Sequence, residues 1–174
     1  MAHEARIAIS CPDRSGLISA LTGHLFNMGA DIGAASFAAL SSTAEFTAFV
    51  QLPNDFSHDD VRISLAALPE LAGAEISVTA LSPTTTQAEN AHGTHRIEVR
   101  GTDRPGLVAR LTEAFADFGA NIERMDCERV SSVSTEDYII RIEAWIPTER
   151  AETCLAAVDN TAQSLGLSSR AETI

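Results

Sequence analysis

The chain contains no lysine: all 12 of its basic residues are arginine. A phosphate-cradling Walker lysine, a Schiff-base lysine and a lysine general base are therefore excluded whatever the fold. Cysteine is scarce too. Cys11, Cys127 and Cys154 are odd in number and lack CxxC spacing. That pattern argues against a disulfide framework or a zinc cage and fits a reducing cytosol. No apolar run approaches the roughly 20 residues that span a bilayer, and the stretch Met1 to Arg6 is polar. The expectation is a cytoplasmic chain with no secretory leader, no membrane span, no metal and no cofactor.

Acid, by contrast, is plentiful, and 24 acidic residues leave a net charge of -12. Such a chain repels phosphate backbones, so direct binding to nucleic acid is disfavoured. Hydrophobic residues at 45% and charged residues at 21% make an ordinary globular composition. A length of 174 residues allows one or two domains.

A repeat decides between them. Asp13-Arg14-Ser15-Gly16-Leu17-Ile18 recurs as Asp103-Arg104-Pro105-Gly106-Leu107-Val108, an offset of 90 residues that holds without a gap to Ile32 and Ile122. Nine of these twenty positions are identical, where unrelated segments share about one or two. A period this long means two copies of one domain rather than a solenoid unit. The expected organisation is a first domain over 1–83, a linker over 84–94 and a second domain over 95–174. The linker (Thr84 to Thr94) is small, polar and aperiodic. Three arginines face nine acids before residue 84, and nine face fifteen after it, so each copy nets -6.

Each copy reads as strand, helix, strand, strand, helix, strand. Ile7, Ile9 and Cys11 alternate, as do Ile97 and Val99, giving a first strand of about six residues. Leu17, Leu21, Leu25 and Met28 recur at helical spacing, matched by Leu107, Leu111, Phe115 and Phe118, with Gly29 and Gly119 as stop signals. Third strands alternate over Phe46, Ala48, Val50 and Leu52, and over Tyr138, Ile140, Ile142, Ala144 and Ile146. Second helices start at Ser57-x-x-Asp60, a capping box, and at Thr148 after Pro147. Their buried stripes are Val61, Leu65 and Leu68, and Leu155, Val158, Ala162 and Leu165. Glu75 to Leu81 closes the first copy, and a weaker, fraying strand from Leu167 to Ile174 closes the second. The fold class is α+β: two ferredoxin-like βαββαβ domains in tandem, antiparallel sheets with helices on one face.

The most specific local feature is the strand-to-helix junction, Asp13 to Leu17 and Asp103 to Leu107. A helix start leaves backbone N–H groups unpaired and carries partial positive charge. A glycine at 16 or 106 lets an anion approach those amides closely. Asp13 or Asp103 can cap the helix or accept from a ligand ammonium, and Asp31 and Asn121, opening the second strand, can add polar contacts. The residues allow two readings at this point: a capped turn needed for folding, or a seat for a free amino acid.

The pattern Asp-Arg-Ser/Pro-Gly-Leu after a first strand, followed by Gly-Ala-Asp/Asn-Ile after the helix, resembles the signature of ACT domains. A chain made of two such domains is similar to the glycine cleavage system transcriptional repressor family. The resemblance implies a non-enzymatic regulator that binds a small amino acid where ACT domains meet. It also implies a homo-oligomer that acts on a protein partner, such as a transcriptional activator, without touching DNA. By position, the family's ligand-binding loop maps onto Asp13, Arg14, Ser15, Gly16 and Leu17, and onto Asp103, Arg104, Pro105, Gly106 and Leu107. The start of the second strand maps onto Asp31 and Ile32, and onto Asn121 and Ile122. Serine at 15 and aspartate at 31 depart from the usual proline and asparagine, so copy two is expected to carry the working site.

Other candidates carry less. Cys11 reads as a small buried apolar residue, since no base is placed beside it. His92-x-x-His95 lacks the further ligands of a metal site, and His24 reads as a partly exposed helix residue. Arg96, Arg100, Arg104, Arg110, Arg124, Arg129 and Arg141 interleave with Glu98, Glu123, Asp126, Glu128 and Glu143, which points to cross-strand pairing. Two alternatives to the sensor are the detached regulatory subunit of an amino-acid-pathway enzyme and an unliganded oligomerisation module.

Overall fold

Each half of the chain builds its own sheet. The computed structural model describes residues 2–81, 92–131 and 136–174, and the chain divides into two compact units, Met1–Thr85 and Thr86–Ile174. Most of the expected linker lies outside the described residues. Its last residues, Gly93 and Thr94, are bonded into the second unit: Thr94 N–H donates to the Ala144 carbonyl at 2.9 Å, and Gly93 N–H donates to Glu123 Oε2.

The first unit runs β1 (Ala2–Pro12), α1 (Leu17–Asn27), β2 (Asp31–Leu40), β3 (Thr43–Pro53), α2 (His58–Ala66) and β4 (Glu75–Ala80). The second runs β5 (His95–Gly101), α3 (Leu107–Asp117), β6 (Asn121–Ser131), β7 (Glu136–Trp145), α4 (Ala151–Ser164) and β8 (Ser168–Thr173). The sheet orders are β2-β3-β1-β4 and β6-β7-β5-β8, with antiparallel pairing throughout. This is the expected βαββαβ arrangement, twice.

Alternation along the central strands places the cores. Ala5, Ile7, Ile9 and Cys11 of β1 and Phe46, Ala48, Val50 and Leu52 of β3 are buried against Leu17, Leu21 and Leu25 of α1 and Val61 and Leu65 of α2. The second core repeats this with Ile97, Val99, Ile140, Ile142 and Ala144 against Leu107, Leu111, Phe115 and the stripe Cys154, Val158 and Ala162 of α4. Cys154 is the member of that stripe that its spacing, i, i+4 and i+8, makes visible only afterwards. Leu155 and Leu165, expected in the stripe, are half-buried at its margin.

Four expectations about elements need adjusting. β1 is eleven residues long rather than about six, because it pairs with β3 at every position from Ala2 to Pro12. α2 ends at Ala66, and Leu68 is half-buried beyond it, since Pro69 disfavours helix at the residue before it. α4 begins at Ala151, not Thr148: Arg150 N–H donates to the Pro147 carbonyl at 2.9 Å, so a tight 3-10 turn over Thr148–Arg150 comes first. β8 is not a loose end. It pairs with β5 at six positions, and Ile174 N–H donates to the Thr94 carbonyl at 3.0 Å.

The open faces of the sheets differ. On the second, Arg96 bridges Glu143 and Glu172, and Arg141 bridges Glu98 and Glu128, a cross-strand ladder of ion pairs. Of the interleaved arginines, Arg96 and Arg141 pair across strands as expected. Among the described residues no helix is long and apolar enough to cross a membrane, and no group of histidines, cysteines and acids is placed to hold a metal ion.

Candidate functional site

The two junction loops share one backbone form. Gly16 (φ 84°) and Gly106 (φ 81°) are the N-cap residues of α1 and α3. Both occupy the left-handed region where an L side chain is strained. Among the described residues no side chain caps either helix. Asp13 and Asp103 thus do not cap the helices, which corrects the role open to them in the sequence. Leu17 and Leu107 N–H donate to the Arg14 and Arg104 carbonyls at 3.3 Å, and the amides that follow in each first turn have no side-chain acceptor among the described residues. Leu17 and Leu107 are buried and pin the helix starts to the cores, while Ser15 and Pro105 are exposed.

The arginine of the loop has a structural task in the first unit. Arg14 Nη1 and Nη2 donate to the carbonyls of Pro69 and Ala72 at 2.9 and 3.0 Å, clamping the turn before β4. Arg104 lies in the matching place: its Nη2 is 3.8 Å from where a Cβ on Gly166 would stand, in the turn before β8.

The predicted strand starts are not beside these loops. Asp31 pairs with Gln51, which pairs with Glu4 near the beginning of β1, whereas Asp13 follows Pro12 at its end. Eight residues of strand separate Glu4 from Pro12, about 26 Å at about 3.3 Å per residue. Asn121 pairs with Trp145, by the His95 end of β5, and Asp103 follows the Gly101 end, about 20 Å away by the same measure. The reason is α1 and α3 themselves: each carries the chain back to the far end of the sheet before the second strand begins. Within one copy the loop and the strand start cannot share a ligand. Just past these strand starts each edge strand carries a one-residue bulge, between Ile32 and Ala35 and between Ile122 and Arg124. Ile32 and Ile122 pack against the cores. Asp31 instead lines a cleft of about 310 Å³ with Glu4, Phe49 and Gln51.

The second loop opens onto a cleft that spacing alone did not reveal. It measures about 380 Å³ and is lined by Thr102, Asp103, Arg129, Asp137 and Tyr138. Arg129 of β6 reaches this loop. Its Nε donates to Asp103 Oδ2 at 2.9 Å, and its Nη2 binds the same oxygen. The Tyr138 phenol is pushed up to about 12, first by its hydrogen bond with Cys127, then by desolvation and the charges of Cys127 and Asp103, with Arg129 pulling the other way. It remains a neutral hydroxyl at physiological pH. Cross-strand register puts Ala39 opposite Ala44 in the first unit, where Arg129 faces Tyr138 in the second. That break in the repeat is the signal the sequence held.

Cys11 is buried, and burial raises its thiol pKa, with Arg14 opposing; this is the inert apolar residue expected. His24 is half-buried, with Nε2 2.6 Å from Ser64 Oγ.

Residues 95–144 match the family model of the ACT domain. No curated protein matches the chain. Among solved structures, an unknown protein from Galdieria sulphuraria superposes with a TM-score of 0.82 at 19% identity, covering 100% of this chain and 99% of that one. A candidate glycine cleavage system transcriptional repressor superposes with a TM-score of 0.69 at 16% identity, covering 100% and 98%. At these identities the likeness establishes the fold.

Proposed function

Because the chain carries an ACT domain in its second unit and repeats that fold in its first, we propose that it is a non-enzymatic regulatory protein that binds a small free amino acid at ACT–ACT interfaces. The observation that carries this reading is the pair of uncapped helix starts behind left-handed glycines. Amides unclaimed by any side chain attract a ligand carboxylate, and a glycine without Cβ leaves them accessible. The strand starts at Asp31 and Ile32 and at Asn121 and Ile122 lie at the opposite end of each sheet. They contribute to such a site only from another copy of the domain, which makes the ligand a bridge between copies.

Ligand binding then shifts the chain between arrangements in proportion to its preference for one of them. The regulated partner is a protein rather than nucleic acid, in keeping with the net charge of -12. The fold shared with a candidate glycine cleavage repressor makes glycine the first ligand to test and a transcriptional activator the first partner. A cytoplasmic homo-oligomer completes the reading. Isothermal titration with glycine, serine, alanine and leucine tests it: saturable binding by one of them is expected. Absence of heat and of any thermal shift at millimolar concentration of all four removes it.

A further inference from the structure

The open face of the second sheet carries an ordered array of charge. Register places Arg124, Glu143, Arg96 and Glu172 side by side in one row across β6, β7, β5 and β8. The next row on the same face reads Asp126, Arg141, Glu98 and Arg170. Sign alternates along both rows and along all four strands, a checkerboard with four charges of each sign. The chain as a whole carries -12, whereas this patch is neutral. Its inner charges are matched within the sheet, Arg96 with Glu143 and Glu172 and Arg141 with Glu98. Arg124 and Asp126 on edge strand β6 and Arg170 on edge strand β8 are exposed. Among the described residues none of these three is in an ion pair. The matching row of the first sheet holds Ser36, Thr47, Ala8 and Ser77, so the array belongs to the second unit alone.

We propose that this checkerboard docks the same face of a second copy, turned about a two-fold axis that runs along the strands. That rotation keeps each row in place and reverses the order of the strands. Over four alternating columns the reversal sets every charge against its opposite. Arg124 meets the second copy's Glu172, Glu143 its Arg96, Arg141 its Glu98, and Asp126 its Arg170. The edge residues thus gain partners that their own sheet does not give them. In the row beyond, Glu128 falls over Ser168 and Arg100 over Ile139, so no like charges meet. Face-to-face sheets pack about 10 Å apart, a gap that an arginine and a carboxylate side chain bridge together. Four strands and three rows cover a flat area of about 400 Å², below the roughly 800 Å² per partner of a standard stable interface. The dimer is therefore weak and reversible, and its charges set register and partner choice more than strength. It shares with the reading above only the association of copies, and stands whether or not an amino acid binds.

The test is sedimentation equilibrium of the full chain over a range of protein concentration, at low and high salt. A reversible dimer is expected, weakening as sodium chloride rises from about 0.05 to about 0.5 M. A contact not built on charge would strengthen instead, since salt screens the repulsion between two chains of -12. Asp126→Arg and Arg170→Asp should each weaken the dimer about tenfold to a hundredfold, because each sets like charges together and the axis counts it twice. Both substitutions in one chain should restore it. Asp126 and Arg170 stand three strand spacings apart, about 14 Å, so the rescue cannot arise within one sheet. Urea midpoints matching the parent's are expected in all three variants. A chain that stays monomeric, a dimer that tightens with salt or ignores both single substitutions, or a double variant without rescue overturns the proposal. Glycine, serine, alanine and leucine titrated into Asp126→Arg report separately on amino-acid binding, so either reading can fail alone.

Discussion

At Gly106 space and backbone make opposite demands. A Cβ there would meet nothing within 4 Å, yet φ is +81°. Gly106→Ala therefore carries only the left-handed penalty, about 1 kcal/mol. Urea unfolding should show a folded protein with a modestly lower midpoint, and titration should show weakened amino-acid binding as the Cβ stands over the helix amides. Unchanged binding beside that stability loss would make the loop purely structural. Arg14 is the contrasting residue. Its fork spans two carbonyls that a single ammonium cannot reach together. Arg14→Ala should cost about 1–2 kcal/mol, and Arg14→Lys should recover little of it, both read from urea midpoints.

Among the elements, α2 offers the clearest local test. Ser57 accepts from Asp60 N–H, and Asp60 Oδ2 accepts from Ser57 N–H and from the Ser57 hydroxyl. Those bonds, the hydroxyl's first, hold the Asp60 carboxyl below its ordinary value. A carboxylate whose pKa falls on folding stabilises the fold above its unfolded value, about 4, and loses that contribution as pH falls through the folded one. Ser57→Ala should cost about 1 kcal/mol at neutral pH, with the difference from the parent shrinking toward pH 2 in urea midpoints. This box was legible because capping is a four-residue pattern, and the strands were legible because alternation at Phe46 to Leu52 is local. The ends of the sheet were not. Which end Asp31 joins depends on α1 reversing the chain and on the order β2-β3-β1-β4, neither of which spacing encodes. Likewise Arg129 meets Asp103 across 26 residues and past a bulge that shifts the register. Only the departure from Ala39 in the first copy hints at it.

On the scale of the whole molecule, the two halves keep separate cores. Neither core borrows a buried residue from the other unit, while the open face of the second carries an ion-pair ladder. Similar cores thus carry different surfaces. The thiols happen to mark this division. Cys127 is exposed, Cys11 is buried in the first core and Cys154 in the second, and burial raises the pKa of both hidden thiols. An alkylating reagent should consume one equivalent at once. It should then reach the other two only when their own half opens, at rates set by local unfolding. Mass spectrometry of the modified peptides then times each half separately in the unmutated chain, with no probe introduced. If an amino acid binds only the second half, it should slow the Cys154 clock and leave the Cys11 clock running at its former pace.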